Sequence, residues 1–292
     1  MNDLLARAWI ALINATGGWS QASRTRLGGW IGDFLWWVAV PRRRVTLANL
    51  AACFPDWPRQ RRVAVARQCF RNLARGALDH AVLWQGSAER LRDYVRVEGL
   101  AIAENAANRP LIMIAPHFAG LDAGGLRFNL ITRGVSIYQK QSNATWDRRL
   151  LEGRSRFNDP VLVAKSDKND LRPVIRALRE GLPFYYLPDM DHGITNSVFV
   201  PFFGVPAATV PMVSRLARLT EAKVVMAVTE MTEQGYTLHF GQPWADFPTD
   251  SVEADTERMN REIERWVLQM PDQYLWTHRR FKTRPPGAPS VY

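Results

Sequence analysis

The sequence predicts an α/β protein: a mostly parallel open sheet flanked by helices. Two observations carry this. Beyond Gly99, short apolar runs alternate with stretches of helical period, and parallel neighbours in a sheet need such crossovers. The chain also has 292 residues without a linker, internal repeat or low-complexity tract, enough for one α/β domain with appendages. The Pro-rich end from Arg284 reads as a tail.

The N-terminus carries a further element. Apolar stretches run from Leu4 to Ile13 and from Leu27 to Val40, interrupted by Arg7 and Asp33 and shorter than the ~20 residues of a spanning helix. A signal peptide is not expected, because a basic leading segment and a small-residue cleavage site are both missing. Seven of the 11 tryptophans lie within the first 84 residues, beside arginines at 42–44 and 59–75. Tryptophan next to arginine suits a membrane interface. Residues 1–40 are therefore expected to form an N-terminal membrane-associated helical segment lying in the interface, and 41–292 the main domain. The 38 Lys+Arg against 28 Asp+Glu give +10, which favours phosphates or an acidic partner protein; this aromatic distribution argues for no nucleic acid. Cys53 and Cys69 match no metal or redox spacing and are expected to be reduced.

A helix is expected from Pro58 to about Trp84, with Val63, Ala66, Phe70, Leu73, Ala77 and Val82 on one face. Strands are expected at 111–115, 135–138, 161–164, 183–187, 224–228 and 236–240, with helices at 121–131, 145–157, 169–180, 209–220 and 253–269. Sheets of this kind put ligands at the carboxyl ends of their strands.

The first of these strands runs into Pro116 and His117, and Asp122 falls in the first turn of the next helix. A tight turn would fold that carboxylate onto the imidazole. An imidazole steered by a carboxylate can take a proton from a hydroxyl, so His117 and Asp122 are the expected catalytic pair. His80, His239 and His278 are read as structural. The chain lacks a Gly-x-Ser-x-Gly elbow, a Walker loop, a dinucleotide fingerprint and zinc spacing, which removes the usual support for serine, phosphoryl or hydride chemistry. Substrate contacts are expected from one of Arg148, Arg149, Arg154 and Arg156 on the helix at 145–157. Others are expected from the loop after 183–187, with Asp189, Asp191 and His192 followed by Phe199, Phe202 and Phe203 as aromatics to line a groove. A rival reading makes Asp189 and Asp191 the metal ligands of a glycosyltransferase. Another is a membrane-peripheral binding protein without catalysis.

At PHFAGLD, GRSRF, PDMDHG, SVFVPFFG and WTHRRFKTRPPG the sequence resembles the lipid A late (secondary) acyltransferases of Gram-negative bacteria, within the glycerolipid acyltransferase superfamily. The likeness runs from about residue 42 nearly to the end. It implies a general base at His117 with an acid at Asp122, a supporting Arg154, and a required Asp189. It further implies acyl-acyl carrier protein as donor, a lipid A precursor as acceptor, no metal or other cofactor, and a place at the cytoplasmic face of the bacterial inner membrane. Asp122 stands where that branch usually has glutamate, which keeps another lysolipid or glycolipid open as acceptor.

Overall fold

The computed structural model describes residues 2–165 and 170–292. In chain order the elements are α1 (Asp3–Ala15), α2 (Gln21–Val38), α3 (Val40–Cys53), α4 (Arg59–Gln85), α5 (Ala88–Tyr94), β1 (Val95–Glu98), α6 (Leu100–Glu104), β2 (Leu111–Ile114), α7 (Leu121–Asn129), β3 (Val135–Tyr138) and α8 (Ala144–Arg154). There follow β4 (Val161–Ala164), α9 (Arg172–Arg179), β5 (Phe184–Tyr186), β6 (Val198–Phe202), β7 (Val205–Thr209), α10 (Met212–Thr220), β8 (Lys223–Met231), β9 (Tyr236–Phe240) and α11 (Val252–Gln269). All six expected strands form, and so do the expected helices; Asn169, where one was to begin, lies outside the described residues.

Seven strands make one sheet in the order β1-β9-β8-β2-β5-β3-β4, parallel throughout except between β8 and β9. Successive side chains of a strand point to opposite faces, and both faces are covered. Ile112, Ile114, Phe184 and Tyr186 pack with residues of α9, α10 and α11, while Leu111, Met113 and Tyr185 pack with residues of α4 and α7. This is why the central runs read as continuously apolar.

Strand β1 and the hairpin β6–β7 were not expected. β1 is four residues with alternating charge at the sheet edge, and its pairing with β9 is long-range. In the hairpin, Pro201 faces Pro206, and proline disfavours a strand reading because it cannot donate. The turn holds Phe203 and Gly204 at positive φ (50° and 74°), the geometry of a tight hairpin turn. The Phe203 N–H donates to Glu264 Oε1 on α11 (2.6 Å), which pins a conformation costly for phenylalanine.

The expected boundary at residue 40 is not a break in packing. α2 lies along α4, where a Cβ on Gly28 would come within 2.7 Å of Arg75 Cα and one on Gly32 within 2.4 Å of Arg71 Cα. Only glycine permits that approach. Between the helices the buried Asp79 accepts from Arg24 Nε (3.0 Å), Arg75 Nε (3.3 Å) and the Tyr236 hydroxyl (2.8 Å). A buried charge must be paired in this way, so the network ties the N-terminal layer to the sheet. Among the described residues no helix is long and apolar enough to cross a membrane. The C-terminal segment is not a free tail either: Val291 and Tyr292 pack on the core, and the Phe281 N–H donates to the Tyr292 hydroxyl.

Candidate active site

β2 and β5 are parallel neighbours with Ile114 opposite Tyr186. Three residues beyond that pair, each strand having passed a proline, stand His117 and Asp189. His117 Nδ1 donates to Asp189 Oδ1 (2.7 Å), and the His117 backbone N–H donates to Oδ2 (3.0 Å). The His117 carbonyl accepts from the Leu275 N–H (2.9 Å), so its backbone is held from two sides. With Nδ1–H on the carboxylate, the lone pair sits on Nε2, which has no hydrogen bond among the described residues. Burial alone would raise the Asp189 pKa, but the charge and hydrogen bonds of His117, with Arg280 behind, outweigh it and hold it at about 2.

The expected pairing of His117 with Asp122 is therefore corrected: the carboxylate on the imidazole is Asp189, 72 residues away. Asp122 does begin α7, but α7 packs toward α4 and α8, and the side chain looks that way. Its Oδ1 accepts from Arg154 Nε (3.0 Å) and Nη2 (2.7 Å), and its Oδ2 faces His80 Nε2 (3.2 Å). Burial opposes its ionisation, yet Arg154 and His80 keep Asp122 well below the usual carboxylate range. Arg154 Nη1 is left without a hydrogen bond among the described residues.

Three expected substrate contacts are spent elsewhere. Arg156 donates to the carbonyls of Leu83 (2.6 Å) and Gly86 (2.7 Å) and so caps the end of α4, where helix carbonyls lack partners. Asp191 accepts from the Gly193 N–H and from the N–H and hydroxyl of Thr283, clamping its loop to the C-terminal segment. Phe202 is fully buried and packs against Phe203, Tyr274 and Phe281, because its strand folds into the hairpin instead of lining a groove. Since both aspartates face N–H or O–H donors, the glycosyltransferase reading loses its ligands; among the described residues no His/Cys/Asp/Glu group is arranged to hold a metal.

Arg280 is 2% exposed and donates to the Ala208 carbonyl and the Thr209 hydroxyl. His278 is half-buried, and that desolvation pushes its pKa down to about 4; its Nε2 accepts from the Asp191 N–H (3.1 Å). The residue that sequence reasoning missed is His80. Its only local signal was a polar side chain on a helix with an apolar face.

A narrow cavity of about 70 Å³ opens beside Asp122 and Arg154 and runs between α7 and β3, past Gly125, Phe128 and Ile137. Its walls are mostly apolar, and Asp122 and Arg154 are the charged residues of its lining.

The family described as bacterial lipid A biosynthesis acyltransferase matches residues 6–283, so α1 and α2 belong to the match that the motifs alone had begun near residue 42. The chain is 32% identical over 272 residues to the lipid A biosynthesis lauroyltransferase of Escherichia coli K12, covering 91% of this chain and 88% of that one. To the palmitoleoyltransferase of the same organism it is 33% identical, covering 92% and 86%, and to the myristoyltransferase 30%, covering 90% and 82%. Among solved structures, the 1-acyl-sn-glycerophosphate acyltransferase PlsC of Thermotoga maritima is a distant likeness: TM-score 0.42, 15% identity, 87% of this chain and 99% of that one. Fold and relatives thus define an acyltransferase of α/β architecture. The chain belongs to the bacterial lipid A biosynthesis acyltransferase family.

Proposed function

We propose that the protein moves a fatty acyl chain from an acyl carrier protein thioester to a hydroxyl of a lipid A precursor, without an acyl-enzyme, at the cytoplasmic face of the bacterial inner membrane. The observation that carries the reading is His117: a strand-end imidazole whose Nδ1–H is committed to a buried carboxylate and whose Nε2 has no hydrogen-bond partner among the described residues. Nε2 takes the proton of the acceptor hydroxyl as its oxygen attacks the thioester carbonyl, and Asp189 stabilises the imidazolium. Collapse of the tetrahedral intermediate breaks the carbon–sulfur bond, and the imidazolium returns its proton to the departing thiolate. Arg154 is the cationic residue of the cavity lining, and an acyl chain lying there turns its carbonyl oxygen to the guanidinium. There the guanidinium offsets the negative charge of the intermediate. At about 70 Å³ the cavity is smaller than a fatty acyl chain, so the chain enters by spreading the α7 and β3 side chains that wall it.

The relatives named lauroyl-, palmitoleoyl- and myristoyltransferases of lipid A biosynthesis support the acyl group and the acceptor class. The test is incubation of purified protein with acyl-acyl carrier protein and a lipid A precursor, followed by mass spectrometry. The expected product is heavier by one acyl chain, and His117→Ala yields none. Acylation of a lysophospholipid in place of the lipid A precursor would overturn the acceptor.

For membrane contact, the support is a stripe on α2: Trp30, Phe34 and Trp37 are 67%, 63% and 67% exposed, opposite the face that packs on α4. Aromatics at i, i+4 and i+7 lie along one side of a helix, and the exposed Arg42 and Arg44 follow in the next helix to meet lipid phosphates. Changing the three aromatics to serine is expected to lower partition into anionic vesicles at least about tenfold in flotation, with the melting temperature retained. Unchanged partition would remove the α2 stripe as the docking face.

A further inference from the structure

His80 takes no part in the chemistry above, and its surroundings give it a role. It lies on α4, in the N-terminal layer, with its side chain 12% exposed. Its Nδ1 is 3.0 Å from the Gly76 carbonyl one turn back, and its Nε2 is 3.2 Å from Asp122 Oδ2. Both ring nitrogens face acceptors, and the ring donates to both at once only when doubly protonated. Trp84 packs against the imidazole with centroids 4.8 Å apart, and the Arg149 guanidinium stacks on the other ring system at 4.7 Å. The imidazole is therefore fixed by its own helix and by a tryptophan before it reaches Asp122.

The consequence lies in how Asp122 holds Arg154. A carboxylate and a guanidinium prefer two parallel bonds, one to each oxygen. Here both Arg154 bonds fall on Oδ1, from Nε and Nη2, while Oδ2 is occupied by His80. Releasing Oδ2 would let the pair relax to the symmetric fork. That rotates the guanidinium and displaces Nη1.

We propose that His80 is a positioning residue: by holding Asp122 Oδ2 it sets the asymmetric grip on Arg154 that aims Nη1 at the reacting carbonyl. The proposal rests on the reading of Arg154 as the group that meets the developing charge. Misplacement of such a group by about 1 Å costs up to roughly 100-fold in rate.

Asparagine and glutamine separate this role from packing. The glutamine amide nitrogen falls where Nε2 stands, whereas that of asparagine falls near Nδ1. His80→Gln therefore retains a donor for Asp122, and His80→Asn retains only the contact within α4. In the acyl-transfer assay, His80→Asn and His80→Leu are expected to lower kcat about tenfold with little change in KM for either substrate, and His80→Gln to stay within about threefold of wild type. Placed on Asp122→Asn, the same substitutions should add little, because residues acting as a unit are not additive. Equal kcat for the asparagine and glutamine variants, with losses that follow melting temperature, would overturn the proposal. If Arg154→Ala were itself fully active, the reading of Arg154 would fail instead, and the two failures are distinguishable.

Discussion

Asp189→Asn is expected to lower kcat about 10³- to 10⁴-fold while leaving KM for either substrate within a few-fold of wild type. An amide at that position offers its NH₂ to Nδ1, and the imidazole then carries its proton on Nε2, the nitrogen that must accept one. The amide oxygen is left to accept the His117 backbone N–H, as one carboxylate oxygen does now, so the backbone stays held while the ring changes tautomer. Because Asp189 is held at about 2, its contribution to stability is fully present above the ordinary carboxylate value of about 4 and is lost as pH falls through about 2. The variant should therefore lose part of the acid dependence of unfolding. Urea unfolding from pH 2 to 6, alongside single-turnover acyl transfer at neutral pH, checks both statements. If Asp189→Asn were active and Asp122→Asn lost the base, the local pairing of His117 with Asp122 would be restored.

Arg154→Lys is expected to behave nearly as badly as Arg154→Ala, with kcat reduced on the order of 10²- to 10³-fold. An ammonium keeps the charge, but it cannot grip Asp122 through two nitrogens and present a third to the substrate. The substitution to alanine has a second effect that lysine softens. Asp122 would keep only His80 as counter-charge, and burial would push its pKa back up. A depressed carboxylate stabilises the fold above its unfolded pKa and loses that contribution as pH falls, so Arg154→Ala should flatten the acid limb of stability contributed by Asp122. Steady-state kinetics with both variants, beside melting temperatures at pH 4 and pH 7, distinguishes lost catalysis from lost folding. A lysine variant at wild-type rate would show that a point charge suffices there.

The two results would read together. His117 and Asp189 stand at the adjoining ends of β2 and β5, whereas Asp122, Arg154 and His80 come from α7, α8 and α4. The site is thus assembled from five elements, and the pair a reader of the sequence would join belongs to two different hydrogen-bonded groups.

Much of the fold was legible because its signals are local. Short apolar runs marked the strands 111–115 and 135–138, helical spacing marked 58–84, and alternation of the two marked a parallel sheet. The hairpin β6–β7 was hidden by Pro201 and Pro206, and β1 by the charges of Arg96 and Glu98 alternating with its valines. The environments of Phe202, Arg156 and Asp191 were misread for a common reason. An aromatic, a guanidinium or a carboxylate in a loop looks available until the segment that satisfies it has been folded onto it.

What the sequence by itself determined was the class of architecture, the family and the strand end at which His117 stands, since each depends on residues close together in the chain. What the tertiary structure decided was partnership. Strand order β2-β5 brings Asp189 to His117 across 72 residues, and the packing of α7 on α4 and α8 gives Asp122 to Arg154 and His80. Spacing along the chain constrains which groups can meet within a turn. Which of two carboxylates reaches an imidazole is settled by the register of a parallel pair, and register is a property of the assembled sheet.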